Sequence, residues 1–577
     1  MFGWSLTGLI TVAIASASSA IAQTPSPDAN LEVEEEIEII VTDEILNQPV
    51  YAPFRREATV RDSTRPVYVI NREQIEAQGA RTVQEALKYL PGILSDGTAG
   101  GQLGALSSQF IRGSNSAQVL ILLDGRPIND VGFFGGFDLS EFTADNIERI
   151  ELLPGGGSTL YGSDALGGVI NIITRSPSDK PEVTLRTAAG SFGLNEQAIQ
   201  TRGRSSGIGW TVGYTRTEAN NDFPFEIDRI NLTDFLNYNY NNPDPNTFGT
   251  QDEVNRRAIG LQVQHNWQVA KNQTLTYGAD YRNTRSRNTT FSYGTNSTEV
   301  NYDGDITQGA LFARYEVNFT PSFSVNLGLR QDFNSLVNGS FTSPSVGARL
   351  ALSNSTTLRA NYARSFRGPQ ISNLEGLAAF NVVGNPDLKP ERGDSFDIGI
   401  DQELGKIGLL RLTLFSNTIS DLINFKFGSP STYENIGKVR TLGLESALNL
   451  QLARHLYAFA NYTLNDPRIV RDRNPDIEDN RLSFRDADQV NFGLAYETPA
   501  GLYTGIILRH LSSYFVNNTN TESLPGYTTV DLKLRIPLGR TVVLNGNLDN
   551  LFDEQYEQYP GYPAVGRSFR LGISTTF

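Results

Sequence analysis

The chain predicts a transmembrane antiparallel β-barrel whose lumen is filled by an N-terminal mixed α/β domain. Three observations carry this. From about residue 181 to the end, apolar and polar residues alternate in segments of about ten, with aromatics near the segment ends and charge on the polar face. Residues 61–176 instead carry helix caps and short apolar strands. The N-terminus reads as an export segment, and no later stretch is long and apolar enough for a transmembrane helix.

Phe2 to Ala22 is apolar and rich in small residues, and ends in Ala20-Ile21-Ala22, an A-x-A cleavage pattern. Its first residues lack Lys and Arg, which departs from the usual signal. Ser16, Ser18 and Ser19 shorten the apolar run below the ~18 residues of a membrane anchor, so residues 1–22 are assigned to a signal peptide.

Residues 23–60 are rich in Pro, Glu and Asp and are expected to form a mobile tail. Within them lies one β-prone cluster, Glu38, Ile39, Ile40, Val41 and Thr42. Such a segment suits addition to the sheet edge of a partner. It would serve equally as the first strand of the following domain.

In the mixed domain, Pro66 to Ile70 reads as a strand. Asn71 with Gln74 makes a capping box for a helix that Gly79 stops. Thr82 with Glu85 repeats the device for a helix over Val83 to Tyr89. Ser107 to Ile111, Val119 to Leu123, Ile147 to Leu153 and Gly168 to Thr174 read as strands. Two Gly-rich loops, Asp96 to Gly104 and Asn129 to Phe137, offer Gln102, Asn129, Phe133 and Phe134 as ligand contacts. Gly155-Gly156-Gly157-Ser158 looks like a phosphate cradle, but it lacks a following Lys and precedes a strand, so a tight turn is the better reading.

Beyond residue 181, Leu311, Ala313, Tyr315, Val317 and Phe319 alternate with Phe312, Arg314, Glu316 and Asn318. Phe323 to Arg330 and Phe569 to Phe577 repeat the pattern. A barrel built from this many residues has a lumen too wide for its own side chains, and the preceding domain is the natural stopper.

Composition removes other classes. The chain has no Cys and 3 His, which excludes thiolate chemistry and leaves little for a His-based catalytic or metal centre. A net charge of −15 argues against nucleic-acid binding through phosphates. No catalytic residues, resident cofactor or metal ligands emerge. The Asp- and Asn-rich stretch Asp222 to Asp252 lacks EF-hand spacing and reads as solvated loop.

Many motifs in order then point one way: LPGI (Leu90 to Ile93), FIRG (Phe110 to Gly113), VLILLDGRPI, NIERIELLPGG, LYGSDALGGVINIITR, SFRGP (Ser365 to Pro369), GNPDLKPE (Gly384 to Glu391), ENIGKVRTLGLE and the terminal NLFDEQY. Together they resemble the TonB-dependent outer-membrane receptors. The resemblance implies a 22-stranded barrel over residues 177–577, a plug over 61–176, and a TonB box at Glu38 to Thr42. At about 10 residues per membrane strand, 22 strands fit the chain after residue 181 with connections averaging ~8 residues. The resemblance also implies a plug–barrel charge cluster of Arg112, Arg149, Glu391 and Glu445, either a gate that pulling rearranges or a purely structural lock.

The function so implied is energised import of a scarce ligand through the outer membrane. The partners are TonB with its inner-membrane complex, and membrane lipid. A ferric siderophore is the expected ligand and cobalamin the alternative. Phe366 to Leu388 holds no His, which argues against haem. A passive pore or adhesin would need neither plug nor box, and a hydrolase would need convergent catalytic groups that the sequence does not offer.

Overall fold

A computed structural model describes residues 41–95, 105, 107–132, 135–220, 250–293, 295–335, 340–426 and 429–577. The plug is built on a five-stranded sheet in the order Tyr68–Asn71, Ile147–Pro154, Gly168–Thr174, Val119–Leu123, Arg126–Pro127. Gly168–Thr174 pairs antiparallel with Ile147–Pro154 and parallel with Val119–Leu123. Both faces of the sheet are covered, which explains its continuous apolar runs. Ile121, Ile150, Leu152 and Ile170 pack under the two plug helices against Ile75, Val83 and Leu87. Leu120, Leu122, Leu153 and Val169 pack on the other face with Leu46, Val50, Phe54 and Val60.

That second core corrects the tail. Residues 41–60, expected to be mobile, form a helix at Val41–Leu46 and a two-stranded pairing of Pro49–Val50 with Ala58–Thr59. Val50 and Ala52 are fully buried. Their few apolar side chains were hidden in an average dominated by Glu and Pro.

The caps fall where their chemistry places them. Asn71 accepts from the Gln74 amide at 2.9 Å, Gln74 accepts from the Asn71 amide at 3.1 Å, and Gly79 ends the helix Arg72–Gln78 with φ 61°. The next helix is Val83–Leu87, two residues shorter than expected. Thr82 caps Glu85, but the Glu85 carboxylate accepts from the Arg81 amide at 2.8 Å and its Nε at 2.7 Å, so the box is not reciprocal. The first strand is shifted to Tyr68–Asn71, and Ser107 to Ile111 forms only a bridge between Leu94 and Phe110.

Glu85 yields a pH prediction. Burial opposes its charge, but Arg81 and Arg570 outweigh burial and hold the carboxyl at about 2, below its ordinary 4.5. A folded-state pKa below the unfolded one contributes stability that is complete above pH 4.5 and is lost as pH falls toward 2. Glu85→Gln should therefore flatten the acid dependence of the melting temperature across that window. An unchanged profile would remove Glu85 from the account.

The barrel wall contains eighteen long strands among the described residues, plus the two-residue strands Gly376–Leu377 and Val382–Val383. This is fewer than the 22 implied by the resemblance. Thr250–Ala270, Gln273–Ser292, Ser297–Thr320, Gly408–Lys426 and Ser431–Ala453 run 19 to 24 residues, about twice the length a membrane crossing needs. The ring closes where the last strand, Ser568–Thr576, pairs with the first, Glu182–Gly190. Tight turns such as 206–207, 271–272 and 454–455 gather at one end, and long connections such as 472–488, 512–526 and 550–567 at the other. In outer-membrane barrels short turns face the periplasm.

Alternation has the expected sense. Leu311 is 61% exposed and Leu329 54%, while their neighbours Phe312 and Arg330 are each 4% exposed toward the plug. Apolar side chains face outward and polar ones inward, the pattern of a wall in lipid.

Candidate functional site

A buried contact between plug and wall forms around Arg112. Its backbone is left-handed (φ 52°), followed by Gly113 at φ 79°, and this sharp turn aims the guanidinium at the wall. Arg112 Nε and Nη2 donate to the two Glu445 oxygens at 2.7 and 2.9 Å, and Nη1 donates to Asp397. Phe415 lies 4.3 Å beneath the guanidinium, and the Tyr68 hydroxyl donates to Glu445 at 3.2 Å. All of these side chains are buried. Burial penalises the Arg112 charge, yet Asp397 and Glu445 outweigh it and raise its pKa. The arrangement is a bidentate, water-excluded ion pair between two bodies.

Of the four residues assigned to the charge cluster, the structure brings Arg112 and Glu445 together. Glu391 is buried nearby in a different set, with Arg367 at 3.2 Å, the Gln118 amide at 3.0 Å and the Ile423 N–H at 2.8 Å. Arg149 stays within the plug, pairing with Glu151 at 2.8 Å and with the exposed Glu57 at 3.3 Å. Its place as second plug cation is taken by Arg65, which donates to the Gly156 carbonyl at 2.7 Å and to that of Pro154. Burial lowers the Arg65 pKa to about 10, against the pull of Asp397.

The glycine run explains how two guanidinium groups fit side by side. Gly155 has φ 82°, and a Cβ there would meet Arg112 Nη1 at 2.9 Å and Arg65 Nη2 at 3.1 Å. The space that resembled a phosphate cradle is occupied by the cations of the protein itself. Contrary to expectation, the run leads into a four-residue helix, Ser158–Tyr161, before the strand.

At the long-loop end, aromatic side chains from three connections converge over the plug's Leu94–Phe110 bridge. Tyr527 stacks on Tyr556 at 3.7 Å, Phe484 stacks on Tyr559 at 4.4 Å, and Tyr514 joins the cluster. Arg485 lies 6.0 Å from the Phe110 ring. Its Nε has no hydrogen-bond partner among the described residues. Burial pushes the Arg485 pKa down to about 10, against Glu391 and Tyr559. The sequence reading missed these residues, although Tyr-rich loop segments such as DEQYEQYPGY carried a signal.

Asn129, expected as a ligand contact, is turned into the plug. It is 1% exposed, accepts from the Ile121 N–H at 2.7 Å and donates to the Val119 and Gly135 carbonyls, both at 2.9 Å. Every group it could offer is engaged in bracing the plug loop. Gln102, Phe133 and Phe134 lie outside the described residues, as does nearly all of Asp222 to Asp252. Among the described residues no cluster of three or more acidic or His side chains could hold a metal.

Two family models match in tandem: the TonB-dependent receptor plug domain over residues 59–169 and the TonB-dependent receptor-like β-barrel over 143–551. The chain belongs to the TonB-dependent receptors. Solved receptors share its fold. The ferric enterobactin receptor PfeA of Pseudomonas aeruginosa is 18% identical, covering 89% of this chain and 99% of that one, with a TM-score of 0.66. The ferric preacinetobactin receptor BauA of Acinetobacter baumannii is 14% identical over 93% and 100%, with a TM-score of 0.72. Pseudomonas aeruginosa FpvA, solved with a pyoverdine–iron complex, is 16% identical over 93% and 90%, with a TM-score of 0.69.

In this receptor the described end of the segment assigned to the TonB box, at Thr42, lies against a short turn of the wall. Glu38, Ile39 and Ile40 lie outside the described residues. Val41 and Thr42 begin the helix Val41–Leu46 rather than a strand, with Asp43 and Glu44 in its first turn, where negative charge suits a helix N-terminus. Thr42 Oγ1 donates to the Gly408 carbonyl of a wall turn at 2.9 Å, and Arg61 bridges Asp43 at 2.9 Å to Glu403 at 3.0 Å.

Proposed function

We propose that this receptor imports a ferric siderophore across the outer membrane, energised through TonB. Residues 1–22 direct export, and the barrel sits in the outer membrane as a multi-pass wall. Ligand binds at the long-loop mouth, Glu38 to Thr42 pairs with TonB, and force on the plug's N-terminal end opens a way through. The observation that carries the reading is a folded plug held inside a closed barrel by a buried ion pair, with its N-terminal end at the short-turn face. A passive pore has no use for such a plug.

For the ligand, support comes from two sides. PfeA, BauA and FpvA are described with ferric enterobactin, ferric preacinetobactin and iron–pyoverdine. The mouth offers stacked Tyr and Phe rings beside the Arg485 cation, which suits an anionic complex with aromatic parts.

Cells expressing this chain as their one receptor should take up at least one radiolabelled complex from a panel of these three ferric siderophores, and should not take up cobalamin. Uptake of cobalamin alone would overturn the assignment. Arg485→Ala should weaken surface binding of the accepted complex roughly ten- to hundredfold, the worth of one or two charge-assisted hydrogen bonds. Unaltered binding would place the ligand elsewhere in the mouth.

A further inference from the structure

Two cavities lie between the plug and one side of the wall. The larger, about 730 Å³, reaches the short-turn end, where Glu182 and Thr576 line it. The smaller, about 170 Å³, is lined by Ser191, Phe192 and Gly566 of the long-loop end. Together they span the height of the wall, and they meet at Gly79, Ala80, Asn547 and Arg570.

Within this shared lining, one carbonyl is clasped by two side chains. Asn547 and Arg570 are direct register partners on adjacent strands. Asn547 Nδ2 donates to the Gly79 carbonyl at 3.1 Å, and Arg570 Nη2 donates to the same oxygen. That oxygen belongs to the residue ending the plug helix Arg72–Gln78, where carbonyls lack partners and attract cations. Gly79 admits so close an approach because a Cβ there would meet Asn547 at 2.4 Å. Below this clasp, plug and wall are joined by part-exposed ion pairs, Asp145 with Arg186 at 2.8 Å and Glu76 with Arg535 at 3.3 Å. Such pairs are individually weak, and their polar groups favour a hydrophilic solute.

We propose that these two cavities are the resting halves of the transport path, and that Asn547 and Arg570 clasping the Gly79 carbonyl form its gate. Withdrawal of the Arg72–Gly79 helix joins the halves while the Arg112 contact, across the plug, stays in place. The proposal rests on the import reading above and names its route: hydrophilic ligand passes along the first and last wall strands rather than through the space vacated by the whole plug.

Purified full-length receptor in lipid vesicles tests this without TonB or siderophore, so a failure here counts against the route and failed uptake counts against import. Arg570→Ala with Asn547→Ala should release an entrapped sugar roughly tenfold faster or more than the unaltered protein, since charge-assisted bonds close the gate. Arg570→Lys, which keeps a donor, should stay tight. The chain has no native Cys, so single thiols report position. In the open-gate background, maleimide on Ala198→Cys, in the larger cavity, should block release, and on Ala363→Cys, on a buried wall position facing Gly156, should not. Block at Ala363, or no release from a barrel whose heat-modifiable gel migration is normal, overturns the proposal. Should the double variant fail to insert, Ala198→Cys with its gate intact decides: it should react with a vesicle-impermeant maleimide from the short-turn side alone. Reaction from both sides or from neither overturns the route.

Discussion

Arg112→Ala should loosen the plug by about 3–5 kcal/mol, because it leaves Glu445 and Asp397 charged, buried and without their main partner. That energy corresponds to a rise of roughly two to nearly four powers of ten in the dissociated population. Arg112→Lys should recover only part of it, since an ammonium cannot hold both Glu445 oxygens and also reach Asp397 over Phe415. Arg149→Ala should cost less than Arg112→Ala, because Glu57 is exposed and the buried Glu151 keeps the Tyr51 and Ala52 N–H groups and the Asn171 amide as donors. A thiol placed on the plug and followed during denaturant unfolding measures all three. Equal losses for Arg112→Ala and Arg149→Ala would return Arg149 to the plug–wall contact and remove the special standing of Glu445.

Deleting Glu38 to Thr42 should abolish energised uptake and leave binding of ligand at the cell surface intact. Strand pairing with a partner is all or nothing along so short a segment, because main-chain hydrogen bonds supply its affinity. The deletion also removes the Thr42 bond to Gly408, so loss of that fastening has to be separated from loss of pairing. Ile40→Pro does so: it takes one N–H out of the pairing segment and leaves Thr42 in place. Both variants should stop uptake alike. Uptake that survives the deletion would mean that force is not applied through this segment.

Features that depend on near neighbours were legible in the sequence. The Asn71–Gln74 box, the Gly79 stop and the strands at Val119–Leu123 and Gly168–Thr174 follow from residues within a few positions of each other. The alternation of Leu311 with Phe312 likewise gave the sense of the wall. The motifs bring in Arg112 and Glu445, which meet across 333 residues, but no local signal marks Asp397 or Arg65 as participants. Arg149 is singled out by its motif, but its side chain turns along its own strand to Glu151, two residues on. Strand length also escaped: Ser297–Thr320 continues as a strand toward its loop end, where its burial no longer alternates. Asn129 was judged by its Gly-rich surroundings, when an Asn in such a loop serves as well to tie the backbone together.

The closure of Ser568–Thr576 onto Glu182–Gly190 bears on how the molecule is made. The seam joins two strands that lie far apart in the chain, and the plug precedes the first of them. Until that final seam forms, the sheet has two free edges, each open to pairing with another chain. Once it forms, the plug is enclosed in a continuous hydrogen-bonded hoop. Assembly is therefore constrained by topology: a plug housed before that seam shuts is enclosed with its Arg112 contact already inside.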